Sequence, residues 1–184
     1  LPGHTFLQDI KQTMTNITRL DRIKEILEKG DFPKFRFEQI KQAIYSSKFS
    51  RYSQISNLPK ELKEQLVKEL GDEILSVKKV REMIGQQAHK ILLETNDGHQ
   101  IEAVRLTYRL KSGRHNSLCI STQSGCALGC LFCATGAIGF KKNLTADEIL
   151  DQVLHFIKNN LPIDSIIFMG MGEPLHNYDN VVKA

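Results

Sequence analysis

The chain has 184 residues, 41% hydrophobic and 25% charged, the balance of a globular protein long enough for one ordinary domain or two small ones. No run of eighteen apolar residues is present, which argues against a transmembrane helix. The start, Leu1-Pro2-Gly3-His4, lacks the basic-then-apolar pattern of a secretory signal. The net charge of +4 is modest but unevenly spread: after Glu102 no acid occurs until Asp147, while Arg105, Arg109, Lys111, Arg114, Lys141 and Lys142 all fall in that gap.

In chain order, residues 1–13 read as vector-derived or upstream residues, since Met14 is the first methionine and directly precedes a good helix start. Residues 14–75 read as a small helical domain. Its first helix runs from Thr18 to Lys29 with Leu20, Ile23, Ile26 and Leu27 on one stripe and Gly30 as its stop. A second is expected over Phe35 to Phe49, with Phe37, Ile40, Ile44 and Tyr45 inward. A third is capped by Ser56 or Asn57, has Pro59 in its first turn, and ends at Gly71.

The period then changes. Residues 76–112 form a β-hairpin segment in which Ile74 to Ile84 and His89 to Thr95 are β-rich. Asn96-Asp97-Gly98 is a tight-turn signal, and Ile101 to Leu110 pair back across it. Residues 113–184 read strand, loop, helix, strand, loop, helix. A strand over Leu118 to Thr122 leads directly into the cysteine loop. Thr145-Ala146-Asp147-Glu148 caps a helix to about Asn160, and Asp164 to Met169 is an apolar strand typical of a buried parallel sheet. Both loops leave the C-terminal ends of strands, where α/β proteins place their sites. Two such strands cannot close a barrel, and the chain reads as the front part of something longer.

Three of the four cysteines, Cys126, Cys130 and Cys133, form a C-x3-C-x2-C run. That spacing suits three corners of an iron–sulfur cube with one iron left open for a substrate or cofactor. A structural zinc site is the rival, but zinc favours paired ligands on separate knuckles. The remaining thiol, Cys119, stands seven residues upstream, while His115 and His155 lack ligand spacing. Plain packing suits three thiols among glycines poorly. Clustered thiols without a secretory signal are expected in a reducing cytoplasm. The basic residues flanking the loop are candidates for a phosphate backbone or, equally, a solvated basic face.

The longer runs Leu118-Cys119-Ile120-Ser121-Thr122-Gln123-Ser124-Gly125-Cys126, Phe132-Cys133-Ala134-Thr135-Gly136, Lys142-Asn143-Leu144-Thr145 and Met169-Gly170-Met171-Gly172-Glu173-Pro174-Leu175 resemble the radical S-adenosylmethionine (SAM) RNA adenosine methyltransferases. That family comprises the dual-specificity ribosomal and transfer RNA adenine-C2 enzymes and their chloramphenicol–florfenicol resistance relatives, which methylate C8. The resemblance extends from about Ile17 to Ala184. It implies an α/β fold, the start of a partial radical-SAM (β/α) barrel behind the helical domain and hairpin segment.

The resemblance also implies roles. Cys126, Cys130 and Cys133 would bind a [4Fe–4S] cluster whose open iron takes SAM, and Gly172 and Glu173 would contact that SAM. A glycine permits close backbone approach there, and a carboxylate accepts hydrogen bonds from an ammonium. Cys119 would be a catalytic cysteine and Glu102 a proton acceptor. In the implied mechanism a second, late cysteine carries a methyl group from one SAM. A second SAM is cleaved to a radical that activates the methyl for addition to adenine. Cys119 then helps remove the ring proton before a disulfide releases the product. Arg105, Arg109, Lys111 and Arg114 are the candidates for RNA phosphate contacts.

The implied partners are 23S ribosomal RNA, transfer RNA, and a flavodoxin or ferredoxin as electron donor, for a cytoplasmic monomer. The Gly172-Glu173-Pro174-Leu175 run resembles the C2 enzymes and the stretch from Cys133-Ala134-Thr135-Gly136 to Lys141-Lys142-Asn143-Leu144-Thr145 the C8 enzymes, with C2 the favoured reading. The late cysteine is not in these residues, so this chain alone is expected to be inactive. The alternative is an RNA-binding or zinc-stabilised module without radical chemistry.

Overall fold

The computed structural model describes residues 17–111 and 113–184; the expected leader, residues 1–13, lies outside them. Helix α1, Arg19–Lys29, starts where Thr18 accepts from the Asp21 backbone N–H while the Asp21 carboxylate accepts from the Thr18 N–H. Ile23, Ile26 and Leu27 are buried as expected. Helix α2, Phe35–Tyr45, stops four residues short of the expected Phe49. Ser46 leaves the helix in an extended conformation, φ −88° and ψ 157°, as short hydroxyl residues do where they compete for local backbone bonds. Tyr45, expected inward, is exposed.

A short 3-10 turn, Tyr52–Gln54, precedes helix α3, Lys60–Leu70. The N-cap of α3 is Pro59, not Ser56 or Asn57, and no side chain caps it. Leu62 and Leu66 are fully buried.

Four antiparallel strands follow: β1 (Val77–Ile84), β2 (Ala88–Thr95), β3 (Gln100–Leu110) and β4 (Gly113–Cys119). The expected turn forms at Asn96-Asp97-Gly98, where the Gly98 N–H donates to the Thr95 carbonyl at 2.9 Å. A two-stranded ribbon, β5 (Gln123–Ser124) with β6 (Lys142–Asn143), brackets the cysteine loop and the short helix α4, Ala134–Ile138. Helix α5, Ala146–Lys158, has the expected capping box from Thr145 and Glu148. Strand β7, Ser165–Ile167, then pairs parallel with β4. A 3-10 turn, Pro174–Asn177, and helix α6, Tyr178–Lys183, follow.

The sheet order is β1-β2-β3-β4-β7, so the hairpin segment and the βαβ unit share one sheet. Strand β4 begins earlier than expected and ends at Cys119, because Ile120–Thr122 leave the ladder to meet the loop after β7. Strand β7 is shorter than expected and is not buried: Ile166, Phe168 and Met169 are exposed at the open edge of the sheet.

Helix α5 positions everything else. Ile149, Val153 and Phe156 pack on Ile91, Leu93, Ile101, Ala103 and Leu118 of the sheet. Leu154, with Leu150 and Ile157 beside it, packs into the helical bundle around Ile23, Ile40 and Leu66. The helix is therefore apolar on two sides, a middle layer between bundle and sheet. Each fully buried aliphatic or aromatic side chain along it contributes about 1.5–3 kcal/mol of transfer free energy. The opposite face of the sheet carries no helix among the described residues.

Candidate functional site

Register sets the first two site residues. Cys119 stands opposite Val104 in the β3–β4 ladder. Glu102, two residues before Val104, therefore shares the face of Cys119 that α5 does not cover, and such diagonal neighbours lie roughly 7–8 Å apart. Glu102 is held by the Lys90 ammonium at 2.6 Å. Cys119 is half-buried at the last residue of its strand, and burial pushes its thiol up from the ordinary range.

After Cys119 the backbone runs through Ser121, Thr122, Gln123 and Ser124, all buried although polar. The side chains of Ser121, Gln123 and Ser124 and the backbone of Thr122 have hydrogen-bond partners, while the buried Thr122 hydroxyl has none among the described residues. The Ser121 N–H donates to Gln152 Oε1 at 2.7 Å, the Gln152 amide returns a bond to the Ser121 carbonyl at 2.8 Å, and Ser121 Oγ donates to the Glu102 carbonyl at 2.6 Å. Ser124 Oγ reaches the Gln100 carbonyl at 3.0 Å. This belt fixes where the cysteine loop departs.

The loop closes on itself at a neck. A Cβ on Gly125, φ +74°, would lie 1.8 Å from the Gly139 carbonyl oxygen, so nothing larger than glycine permits the crossing. Beyond the neck, Cys126 and Cys133 are half-buried and Cys130 is exposed, and all three thiols are free. The Cys133 N–H donates to the Cys130 carbonyl at 3.0 Å, and Cys133 caps α4. Backbone N–H groups of Gly136 and Thr135 aimed at its sulfur hold that thiol below the ordinary range, the direction that favours a thiolate ligand. Around them Leu131 and Phe132 stand fully in solvent.

The loop after β7 docks against the same strand exit. The Gly170 N–H donates to the Ile120 carbonyl at 3.0 Å, and the Thr122 and Gln123 N–H groups donate to the Met171 carbonyl at 2.9 and 3.1 Å. Gly172, φ +95°, passes so close that a Cβ would sit 2.4 Å from Gln123 Cβ. Glu173 is half-buried; its N–H donates to Gln123 Oε1 at 2.9 Å and its carboxylate accepts from the Leu175 N–H at 3.0 Å. The buried Asn177 amide donates to the carbonyls of Thr122 and Leu144, both at 2.7 Å, tying this loop to both feet of the cysteine loop.

Cys119, the three clustered cysteines, Gly172 and Glu173 thus all sit at or beyond the C-terminal ends of β4 and β7. Sequence reasoning missed the supports: the Ser121–Ser124 belt, Gln152, Asn177 and the Gly125–Gly139 neck. The belt's one signal is four polar residues running straight on from an apolar strand.

The basic residues divide. Arg105 is occupied internally, donating to the Pro162 carbonyl at 2.8 Å and Asn116 Oδ1 at 2.6 Å, and Lys142 is bound by Asp97 and Glu148 at 2.7 and 2.9 Å. Arg109, Lys111 and Arg114 remain exposed at the β3–β4 turn.

The donor set fits an iron–sulfur cluster: three free thiols on one loop, one already biased toward thiolate, with no carboxylate among them. Among the described residues no three His, Cys, Asp or Glu side chains converge as ligands of one metal ion would. A cluster, in which each thiolate binds its own iron, sets no such requirement. Among the described residues no helix is long and apolar enough to cross a membrane.

Residues 120–184 match the model of the radical SAM superfamily. The chain is 43% identical over 166 residues to the ribosomal RNA large subunit methyltransferase Cfr of Shouchella clausii, covering 90% of this chain and 47% of the relative. It is 45% identical over 162 residues to the Cfr methyltransferase of Staphylococcus aureus, covering 88% and 46%. The chain spans about half the length of these curated relatives. A crystal structure of a radical SAM methyltransferase from Sphaerobacter thermophilus superposes with a TM-score of 0.79 at 33% identity, covering 91% of this chain and 49% of that one. Enzymes of the superfamily use a [4Fe–4S] cluster and SAM. Residues 120–184 thus carry the pattern of the radical SAM superfamily, and over most of its length the chain is similar to methyltransferases of that superfamily.

Proposed function

We propose that this chain carries the cluster and SAM-facing loops of a methyltransferase acting on adenosine in 23S ribosomal RNA, with transfer RNA as a second substrate. The observation that carries this reading is the pairing of two loops at the ends of adjacent parallel strands: three free thiols on one, and Gly172-Glu173 on the other, pinned together through Gln123 and Asn177. The similarity to ribosomal RNA methyltransferases supports the substrate class.

In this reading Cys126, Cys130 and Cys133 hold the cluster, and SAM lies against Gly172 and Glu173. The chemistry supplied by that pair, when bound, is one-electron cleavage of SAM to a carbon radical. The residues here do the rest. The Cys133 thiolate is steadied by backbone N–H groups, Glu173 presents a carboxylate to the SAM ammonium, and the neck at Gly125 aims the loop. Cys119 and Glu102, on one open face, handle the proton at the adenine ring, and the methyl group travels on a further cysteine. The proposed position is C2 ahead of C8, on the Gly172-Glu173-Pro174-Leu175 run. The proposed setting is a cytoplasmic monomer reduced by a flavodoxin or ferredoxin, with helical (14–75), hairpin (76–112) and core (113–184) regions.

Anaerobic reconstitution tests the reading. The wild-type chain is expected to bind about four iron per chain and to turn brown, and the triple Cys126→Ala, Cys130→Ala, Cys133→Ala variant to stay colourless. One tight zinc per chain and no iron would instead establish the zinc-stabilised alternative. Chromatography of digested RNA methylated by a longer protein that also carries the late cysteine, run against 2-methyl- and 8-methyladenosine standards, decides the position.

A further inference from the structure

Strands β3 and β4 reach past their neighbours. The β2–β3 ladder ends at the Ala88–Leu106 pair, with one more bond from the Thr107 N–H to the Gln87 carbonyl at 2.8 Å. The β4–β7 ladder begins only at Ser117. The rungs Tyr108–His115, Arg109–Arg114 and Leu110–Gly113 therefore pair with each other alone, as a two-stranded arm off the sheet. On one of its faces the Tyr108 and His115 rings meet at 5.3 Å. On the other, Arg109 and Arg114 stand directly opposite, with Lys111 in the turn.

Like charges facing across a ladder are destabilising, and an unsupported two-stranded hairpin is marginal to begin with. Arg105, four residues back on the same face, is engaged by the Pro162 carbonyl and Asn116 Oδ1. Among the described residues neither Arg109 nor Arg114 has a carboxylate or carbonyl to answer it. The arrangement thus costs the free protein stability that an anion between the guanidinium groups would return. Facing Cβ atoms lie roughly 4.5–5.5 Å apart, so two guanidinium forks can converge on one phosphodiester.

We infer that the β3–β4 arm is a phosphate clamp for the RNA substrate, formed by Arg109 and Arg114 on one phosphodiester. The inference rests on the RNA reading above and adds the place where the backbone is gripped. Arg114 lies five residues before Cys119 on the same strand, roughly 17 Å at about 3.3 Å per residue, and the odd separation puts the two on opposite faces. An RNA gripped at the arm therefore passes round its edge to present a base at the strand end.

The test uses the whole 184-residue chain, a fluorescent RNA stem-loop with unpaired adenosines, and a salt series. Arg114→Glu places an opposite charge across from Arg109, so its melting midpoint is expected to rise by about 1–4 °C. Its RNA affinity is expected to fall about tenfold or more, with the slope of log K against log salt flatter by about 1. The double change Arg109→Lys, Arg114→Lys is expected to keep most of that slope. Wild-type affinity and slope in Arg114→Glu would overturn the clamp, as would weaker binding with an unchanged slope. Absence of RNA binding by the wild-type chain would overturn the clamp and the RNA reading together. Iron content, measured on the same preparations, reports on the cluster loop separately.

Discussion

Arg19 and Asp151, 132 positions apart in sequence, are joined by a buried ion pair in which Arg19 Nη2 donates to both carboxylate oxygens, at 2.8 and 2.7 Å. Asp151 also accepts from the Ser76 N–H and hydroxyl, each at 2.6 Å. One carboxylate on α5 thereby fastens the first helix of the bundle and the entry to the sheet. Arg19→Ala would leave that carboxylate buried with only Ser76. The expected loss is about 3–5 kcal/mol, read as a lower urea midpoint with an unchanged m-value.

Gly125→Ala is expected to separate folding from metal binding. The added methyl meets the Gly139 carbonyl at a fixed crossing, so the neck must open and the thiols splay. Far-ultraviolet circular dichroism should keep its shape while iron bound after reconstitution falls to less than half of the wild-type amount. Full iron loading in this variant would show that the neck does not position the loop.

Asn177→Ala removes both amide bonds, leaving the Thr122 and Leu144 carbonyls buried without that donor. A cost of about 2–4 kcal/mol is expected. Hydrogen exchange should quicken first at the amides of residues 122–124 and 170–173, before the helical bundle is affected.

His155 gives the chain a stability slope near neutrality. Burial holds its pKa below the ordinary imidazole value, with Lys79 adding to the effect. Between that lowered value and about 6.5 the unfolded chain binds the proton and the folded chain does not. Stability in that window therefore rises with pH and is lost on acidification. Unfolding measured at steps from pH 7.5 to 5.5 should show this slope, and His155→Gln should flatten it.

Much of the architecture was legible because it is local. Thr145 and Glu148 announce a capping box, Ile149, Val153 and Phe156 a stripe, and Asn96-Asp97-Gly98 a turn. The three cysteines stand out by their spacing alone, whereas Gly172-Glu173, which by itself reads as a strand-to-helix turn, is singled out only by the family resemblance. What was not legible depends on partners far along the chain. Tyr45 lies outward because α2 ends at Ser46, where the Lys158 ammonium takes the carbonyls of Ile44, Ser46 and Phe49 at 3.0, 3.2 and 2.6 Å. Arg105 looked like a free cation until the Pro162 carbonyl claimed it. The second apolar side of α5, with Leu154 in the bundle, reads in sequence as the breadth of a single stripe.

The two hydrogen bonds that the Asn177 amide donates, to the carbonyls of Thr122 and Leu144, have a consequence for assembly. Both feet of the cysteine loop are bolted to one side chain, and the Gly125–Gly139 crossing closes the circuit just above them. The span from Cys126 to Ile138, beyond the crossing, is therefore the part left to rearrange around an incoming cluster while its anchorage stays still. The ordering cost of loading falls on those residues alone. Damage to the metal site is then expected to be repairable without refolding the chain that carries it, measured as iron regained on reconstitution with an unchanged melting midpoint.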